Sequence, residues 1–133
     1  MKILFVHHSY SAKSHSGEDV IVRKQINLME KMGHEVVFFN PNSDNLFESK
    51  LQKLRTLFAW PLNLGLDLTK IIKKENPDVI FAHNLFPSIS TKWIKSCNKP
   101  IFLWLHNYRN YCIASTFLRN GNHCQICIPK SSI

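Results

Sequence analysis

The sequence predicts an α/β fold, a parallel sheet flanked by helices, and three observations predict it. Segments 2–6, 35–39, 79–82 and 101–105 are continuous apolar runs. Strands read that way when helices cover both faces of a parallel sheet, whereas a half-exposed strand alternates. Helix-period segments separate these runs, giving the order strand, helix, strand, helices, strand, helix, strand, which is that of a doubly wound sheet with right-handed crossovers. The chain has 133 residues, enough to bury one core and not two.

Lys2 to Val6 is the first buried strand, and the polar, Ser-rich stretch from His7 to Ser16 is a loop. Gly17-Glu18-Asp19 opens a helix on which Val22, Ile26, Met29 and Met32 recur at three- and four-residue spacing. Its acidic first turn suits the helix dipole, and Gly33 is placed to end it. Glu35 to Phe39 is the second strand, closed by Pro41-Asn42. Leu46 to Trp60 reads as a helix stopped by Pro61, and Leu64 to Glu75 as another that ends before Pro77. Val79 to Ala82 is a strand, Ser88 to Cys97 a short helix with Ser88 as its cap, and Ile101 to Leu105 the fourth strand. Beyond it, segment 107–128 contains cysteines and a hairpin turn at Asn120-Gly121.

The formal net charge is +8. A basic surface attracts phosphorylated ligands, anionic lipid or nucleic acid, or simply confers solubility. The basic residues are dispersed and no nucleic-acid-binding motif is present, so no nucleic-acid partner is expected. No run of eighteen apolar residues occurs, and the N-terminus lacks the long apolar region and cleavage site of a signal peptide. A cytoplasmic location is therefore expected. Segment 51–66 interleaves Lys53 and Arg55 with Leu54, Leu57, Phe58, Trp60, Leu62 and Leu64. It reads as a helix packed on the core, with peripheral contact to a membrane surface as the other reading.

Ligands of such sheets bind beyond the carboxyl ends of the strands, near the point where strand order reverses. Three segments lie there: His7 to Asp19, Ala82 to Pro87, and His106 to Cys112. Gly17 at a helix start allows an anion to approach backbone N–H groups, although by itself a plain turn and cap is the favoured account of it. His83-Asn84 and His106-Asn107 each follow a strand. Both pairs can offer hydrogen bonds to a hydroxyl or phosphate, and a histidine there can act as a base or stabilise charge. Cys124-x-x-Cys127 with Cys112 upstream supplies three thiols, one short of a zinc set, for which His123 is a fourth candidate. Reduced structural thiols are the favoured reading, and a stand-alone binding module with a zinc-tied hairpin is the alternative function.

Taken together, the segments resemble the N-terminal domain of family 4 glycosyltransferases, retaining enzymes of GT-B architecture. The resemblance is carried by Met1-Lys2-Ile3-Leu4-Phe5-Val6, Ser16-Gly17-Glu18-Asp19-Val20, Met32-Gly33-His34-Glu35-Val36 and Pro77-Asp78-Val79-Ile80. It continues in His83-Asn84-Leu85-Phe86-Pro87, Leu105-His106-Asn107-Tyr108-Arg109 and Cys112…Cys124-x-x-Cys127. The pair His-Asn-Leu-Phe-Pro and Leu-His-Asn-Tyr-Arg is the most specific part.

That resemblance implies two Rossmann-like domains around a cleft, the N-terminal one holding the acceptor and the C-terminal one most of a UDP- or GDP-sugar donor. It implies that residues 1–133 form the acceptor-side domain, incomplete at its C-terminus, and inactive without the donor-binding domain of the same or a separate chain. The family's Gly-containing loop faces the donor phosphates and matches Gly17, although this sequence has Ser16-Gly17 where many relatives have two glycines. His106 matches the histidine that faces the transferred sugar and is the expected catalytic group. Glu18, His83, Asn84, Asn107 and Arg109 are the expected substrate contacts. The acceptor is expected to be a glycan or a lipid-linked molecule, with no metal or other cofactor required.

Overall fold

The computed structural model describes residues 1–10, 16–42, 65–108, 112, 114 and 116–126. Four parallel strands form the sheet: β1 (Lys2–Val6), β2 (Glu35–Phe39), β3 (Val79–Ala82) and β4 (Ile101–Leu103), in the order β2-β1-β3-β4. In register, Leu4 lies between Val37 and Ile80, and Ile80 pairs onward with Ile101. Strand order reverses at β1, whose neighbours leave on opposite sides. The crevice between the carboxyl ends of β1 and β3 is therefore where such a sheet places its ligand. The predicted α/β class, a Rossmann-like parallel sheet flanked by helices, is the observed one.

Side chains alternate across the sheet, and so β1, β2 and β3 feed two cores, while β4 adds Ile101 to one of them. Ile3, Phe5 and Val79 pack against Val22 and Ile26 of α1 (Gly17–Lys31). On the other face Leu4, Val6, Ile80 and Ala82 pack with Leu68, Leu85, Ile89 and Trp93. Trp93 comes from α3 (Lys92–Ser96), and α2 (Thr69–Glu75) adds Ile71 and Ile72 to the margin of that cluster. The two faces explain the apolar runs of β1 and β3, whereas β4 keeps its apolar run with Phe102 and Leu103 exposed.

α1 matches its predicted start and its end within a residue. Gly33 follows the Met32 cap with φ +81°, a left-handed conformation that glycine adopts without steric cost. Three predicted boundaries are corrected. The helix expected over 64–75 begins only at Thr69. Leu66 instead forms a parallel bridge with Ile89, and Asp67 Oδ1 accepts from the Thr69 N–H at 2.9 Å and the Thr69 hydroxyl at 2.6 Å. That bridge also removes Ile89 from the helix expected to start at Ser88. It begins at Lys92, whose N–H donates to the Ser90 hydroxyl at 3.1 Å. β4 ends at Leu103 rather than Leu105, although the Trp104 N–H still reaches the Ala82 carbonyl at 2.7 Å.

The hairpin at Asn120-Gly121 forms as predicted, between β5 (Leu118–Arg119) and β6 (Asn122–His123). Its two turn residues have φ +51° and +77°, the paired positive values that a two-residue hairpin loop demands. The helix predicted over 46–60, Trp60 included, lies outside the described residues, and of segment 51–66 with its membrane-facing reading only 65 and 66 are described. No described helix is long and apolar enough to cross a membrane.

Candidate active site

One row of aromatic side chains leads across the α1 face of the sheet to the crevice. Phe5, Phe81 and Phe102 are in register on neighbouring strands, with ring centroids 5.2 and 5.3 Å apart. Two residues further along each chain, on the same face, stand His7, His83 and Trp104. His83 stacks over Phe5 at 5.7 Å and Trp104 at 6.1 Å, and His7 meets its edge at 6.2 Å. Extended backbone carries this row past the ladder, with the His7 N–H on the Phe39 carbonyl and the His83 N–H on the Val6 carbonyl.

The N-terminus of α1 sits over the same row. Ser16 caps it: its hydroxyl accepts from the Asp19 N–H, and its own N–H donates to Asp19 Oδ2 at 2.7 Å. Asp19 is buried at 2% exposure, and its Oδ1 accepts from the Ser9 hydroxyl and, at 3.0 Å, from Nε2 of His7. Burial alone would raise the Asp19 carboxyl, but hydrogen bonds from Ser9, Ser16 and His7 outweigh it and hold the group ionised far below the usual carboxylate range. The cap consumes the Asp19 N–H and leaves those of Gly17 and Glu18 without intrahelical partners.

His106 and Asn107 join this cluster from beyond β4. Nε2 of His106 lies 2.9 Å from Nδ1 of His83, and the Asn107 amide donates to Glu18 Oε1 at 3.1 Å. Gly17, Glu18, His83, His106 and Asn107, five of the residues singled out in the sequence, are thus drawn into one connected rim. Gly17 is exposed, and a Cβ built on it meets nothing within 4 Å. Neither packing nor a left-handed backbone requires glycine there.

Asn84 is placed differently. It is buried on the opposite face, where its amide donates to the His8 carbonyl at 3.2 Å and accepts from the Phe86 N–H at 3.2 Å. Arg109 lies outside the described residues.

Sequence reasoning passed over four residues of the site: His7, Ser9, Asp19 and Trp104. Two signals point to them. Ser16-Gly17-Glu18-Asp19 has the spacing of a capping box, and His7, His83 and Trp104 continue the two-residue phase of their strands.

Burial holds the His83 ring neutral, its titration lowered to about 4 with added repulsion from His106 and His7. His7 is also lowered, by burial against a partial counter-pull from Asp19. Three buried atoms here have no hydrogen-bond partner among the described residues: His7 Nδ1, His83 Nε2 and Glu18 Oε2. The site therefore offers a helix N-terminus with unspent N–H groups, a half-buried imidazole and a carboxylate to a ligand in the crevice.

No group of three or more histidine, cysteine or acidic side chains among the described residues is arranged to hold a metal ion. Of the three thiols considered for zinc, Cys112 is buried, Cys124 is half-buried, and Cys127 lies outside the described residues.

A family model described as Glycosyltransferase Family 4 matches residues 16–122, well over half of the chain. No curated protein and no solved structure matches it.

Proposed function

The chain belongs to glycosyltransferase family 4, and from that premise we propose that it forms the acceptor-side wall of a cleft in which a sugar passes from a nucleotide-sugar donor to a glycan or lipid-linked acceptor. His106 faces the transferred sugar and orients it or stabilises the charge that develops there. The Gly17 and Glu18 N–H groups, at the positive end of α1, meet donor phosphate. His83 and Asn107 stand beside them as contacts or supports, and Arg109, outside the described residues, is kept as a further substrate contact. A UDP- or GDP-sugar is the co-substrate, and the pocket for most of it belongs to a second domain, on this chain or another. The work is done at the cytoplasmic side, with peripheral contact to a membrane where the acceptor is lipid-linked.

One observation carries this reading: two hydrogen bonds, Asn107 to Glu18 and His83 to His106, unite the α1 N-terminus with the ends of β3 and β4, beside the reversal point between β1 and β3. A helix start brought together with an accessible imidazole suits a phosphorylated donor and a reacting centre close to each other. Gly17 adds support, because the fold itself gives no reason for a glycine at that exposed position.

Sugar transfer by the enzyme with its donor domain tests the proposal. His106→Ala is expected to lower turnover by about 100-fold, the scale of losing one group that acts on the transition state, in a protein that still folds. Undiminished turnover would remove His106 from the site. Residues 1–133 alone are expected to transfer no sugar from either UDP- or GDP-linked donors, and turnover by them would sink the requirement for a second domain.

A further inference from the structure

We propose that His83 is a positioning residue that fixes the tautomer of His106: its Nδ1–H donates to Nε2 of His106, so that the neutral His106 ring carries its own proton on Nδ1. This rests on the reading of His106 as the group that faces the sugar, and it specifies the form in which His106 meets a ligand.

The argument starts from what two imidazoles 2.9 Å apart require. One nitrogen of the pair must carry hydrogen and the other a lone pair. Two assignments satisfy that. In the first, His83 is protonated on Nδ1 and its Nε2 is a lone pair. In the second, His106 donates from Nε2, and the hydrogen of a neutral His83 moves to Nε2. His83 Nε2 is buried and has no partner among the described residues. A buried N–H with nowhere to donate is rarer in folded proteins than an under-used acceptor. The first assignment leaves only a lone pair unmet.

His7, beside it, follows the same rule independently. Its Nε2 faces Asp19 Oδ1, an ionised carboxylate that can only accept. His7 therefore carries hydrogen on Nε2, and its unpartnered Nδ1 is the lone pair. In both rings the atom left unmet is an acceptor.

The surroundings keep His83 neutral, as the assignment needs. Phe5 and Trp104 stack on the ring, and the titratable groups around it are His7 from β1, His106 from beyond β4, and Asp19 and Glu18 from α1. The two histidines and burial all disfavour a charge on it.

The consequence falls on His106. Its Nε2 lone pair is occupied, and it has no other hydrogen bond among the described residues. Its Nδ1–H is the remaining hydrogen-bonding group of a half-buried ring. His106 then meets an oxygen of the sugar or phosphate as a hydrogen-bond donor. Taking up a proton at Nε2 would force the His83 hydrogen onto its buried, partnerless nitrogen.

Long-range proton–nitrogen correlation spectra of the nitrogen-15-histidine-labelled chain at neutral pH read the state of each ring nitrogen directly. The expected result is hydrogen on Nδ1 of both His83 and His106. Hydrogen on Nε2 of His106 in the unsubstituted chain overturns the proposal, whatever any variant does. His83→Phe keeps a stacked ring but has no nitrogen, and His106 is expected to move to the Nε2–H form. Retention of Nδ1–H in a folded His83→Phe also overturns it. The reading of His106 as the group that faces the sugar fails separately, by unchanged turnover of His106→Ala, and that outcome leaves the tautomer measurement intact.

Discussion

His7 and His8 are neighbours at the end of β1, both fully buried, yet they belong to two sides of the sheet that are built differently. Around His8 the polar groups brace the backbone. The Ser88 hydroxyl lies 2.7 Å from His8 Nδ1, the His8 N–H donates to the Asn84 carbonyl at 2.7 Å, and the Asn84 amide ties the His8 carbonyl to the Phe86 N–H. On the side of His7, facing α1, Nδ1 of His7, Nε2 of His83 and Oε2 of Glu18 are buried without partners among the described residues. One buried polar atom of the His8 face, Trp93 Nε1, is also unmet among the described residues, but on the His7 face three gather at the crevice, and that concentration separates a working surface from a frame. Unmet buried atoms cost stability and are retained where a ligand supplies the missing bond.

Acid attacks both sides together, and it is expected to have the largest effect. His8 and His83 are held neutral by burial, each lowered to about 4 from an ordinary value of 6.5. A group whose folded pKa lies below its unfolded one contributes fully above the unfolded value. Its contribution is lost as pH falls from about 6.5 towards 4, because the unfolded chain takes up protons that the folded one refuses. At pH 5 the loss is on the order of 2 kcal/mol for each of the two. His7, lowered as well, adds in the same direction. Denaturant midpoints at pH 7.5 and 5 measure it, and equal midpoints would show that these rings are not held neutral.

Substitutions at the α1 side separate its frame from its working atoms. Asp19→Ala removes the carboxylate that Ser9, Ser16 and His7 all address, together with half of the capping box. The expected destabilisation is about 3 kcal/mol, from a lost cap and buried donors left unmet. A loss below 1 kcal/mol in urea unfolding would mean that water replaces the carboxylate. Beside it, the 100-fold fall expected for His106→Ala is a change of about 2.7 kcal/mol in the barrier, in a variant that stays folded. Gly17→Ala should behave like His106→Ala in kind and less in size. The open space at Cβ and the helical position predict unchanged or slightly raised stability, and close approach of a ligand predicts about a tenfold loss of turnover. A variant that keeps full turnover would make Gly17 an ordinary first helical residue.

The same two sides explain how far the sequence could be read. The sheet was legible because all four strands are apolar runs, β1 and β3 buried on both faces and β2 and β4 less covered, and α1 because Val22 and Ile26 keep helical period with a cap on each end. The starts of α2 and α3 were not, since the bridge between Leu66 and Ile89 takes residues of good helical pattern into extended structure. That contact joins positions 23 apart, and local propensity carries no trace of it. The rim was legible as three segments at strand ends, but not as a division of labour within them. His83 and Asn84 are adjacent in sequence and looked equivalent. The phase of β3 turns one towards α1 and the other towards the His8 brace.

Asn84 therefore gives the finest test of the division. A residue of the working surface should affect acceptor binding when truncated, and one of the frame should affect stability alone. Asn84→Ala removes one bond to the His8 carbonyl and one from the Phe86 N–H, both in buried surroundings. The expected cost is about 1 to 2 kcal/mol of folding stability, with KM for the acceptor in the complete enzyme unchanged within twofold. His83→Gln, one residue earlier, should lower turnover more than it lowers stability. If Asn84→Ala instead raises acceptor KM about tenfold while the unfolding midpoint holds, the brace is itself part of the binding surface. The line between frame and site would then run through Phe86 rather than between His83 and Asn84.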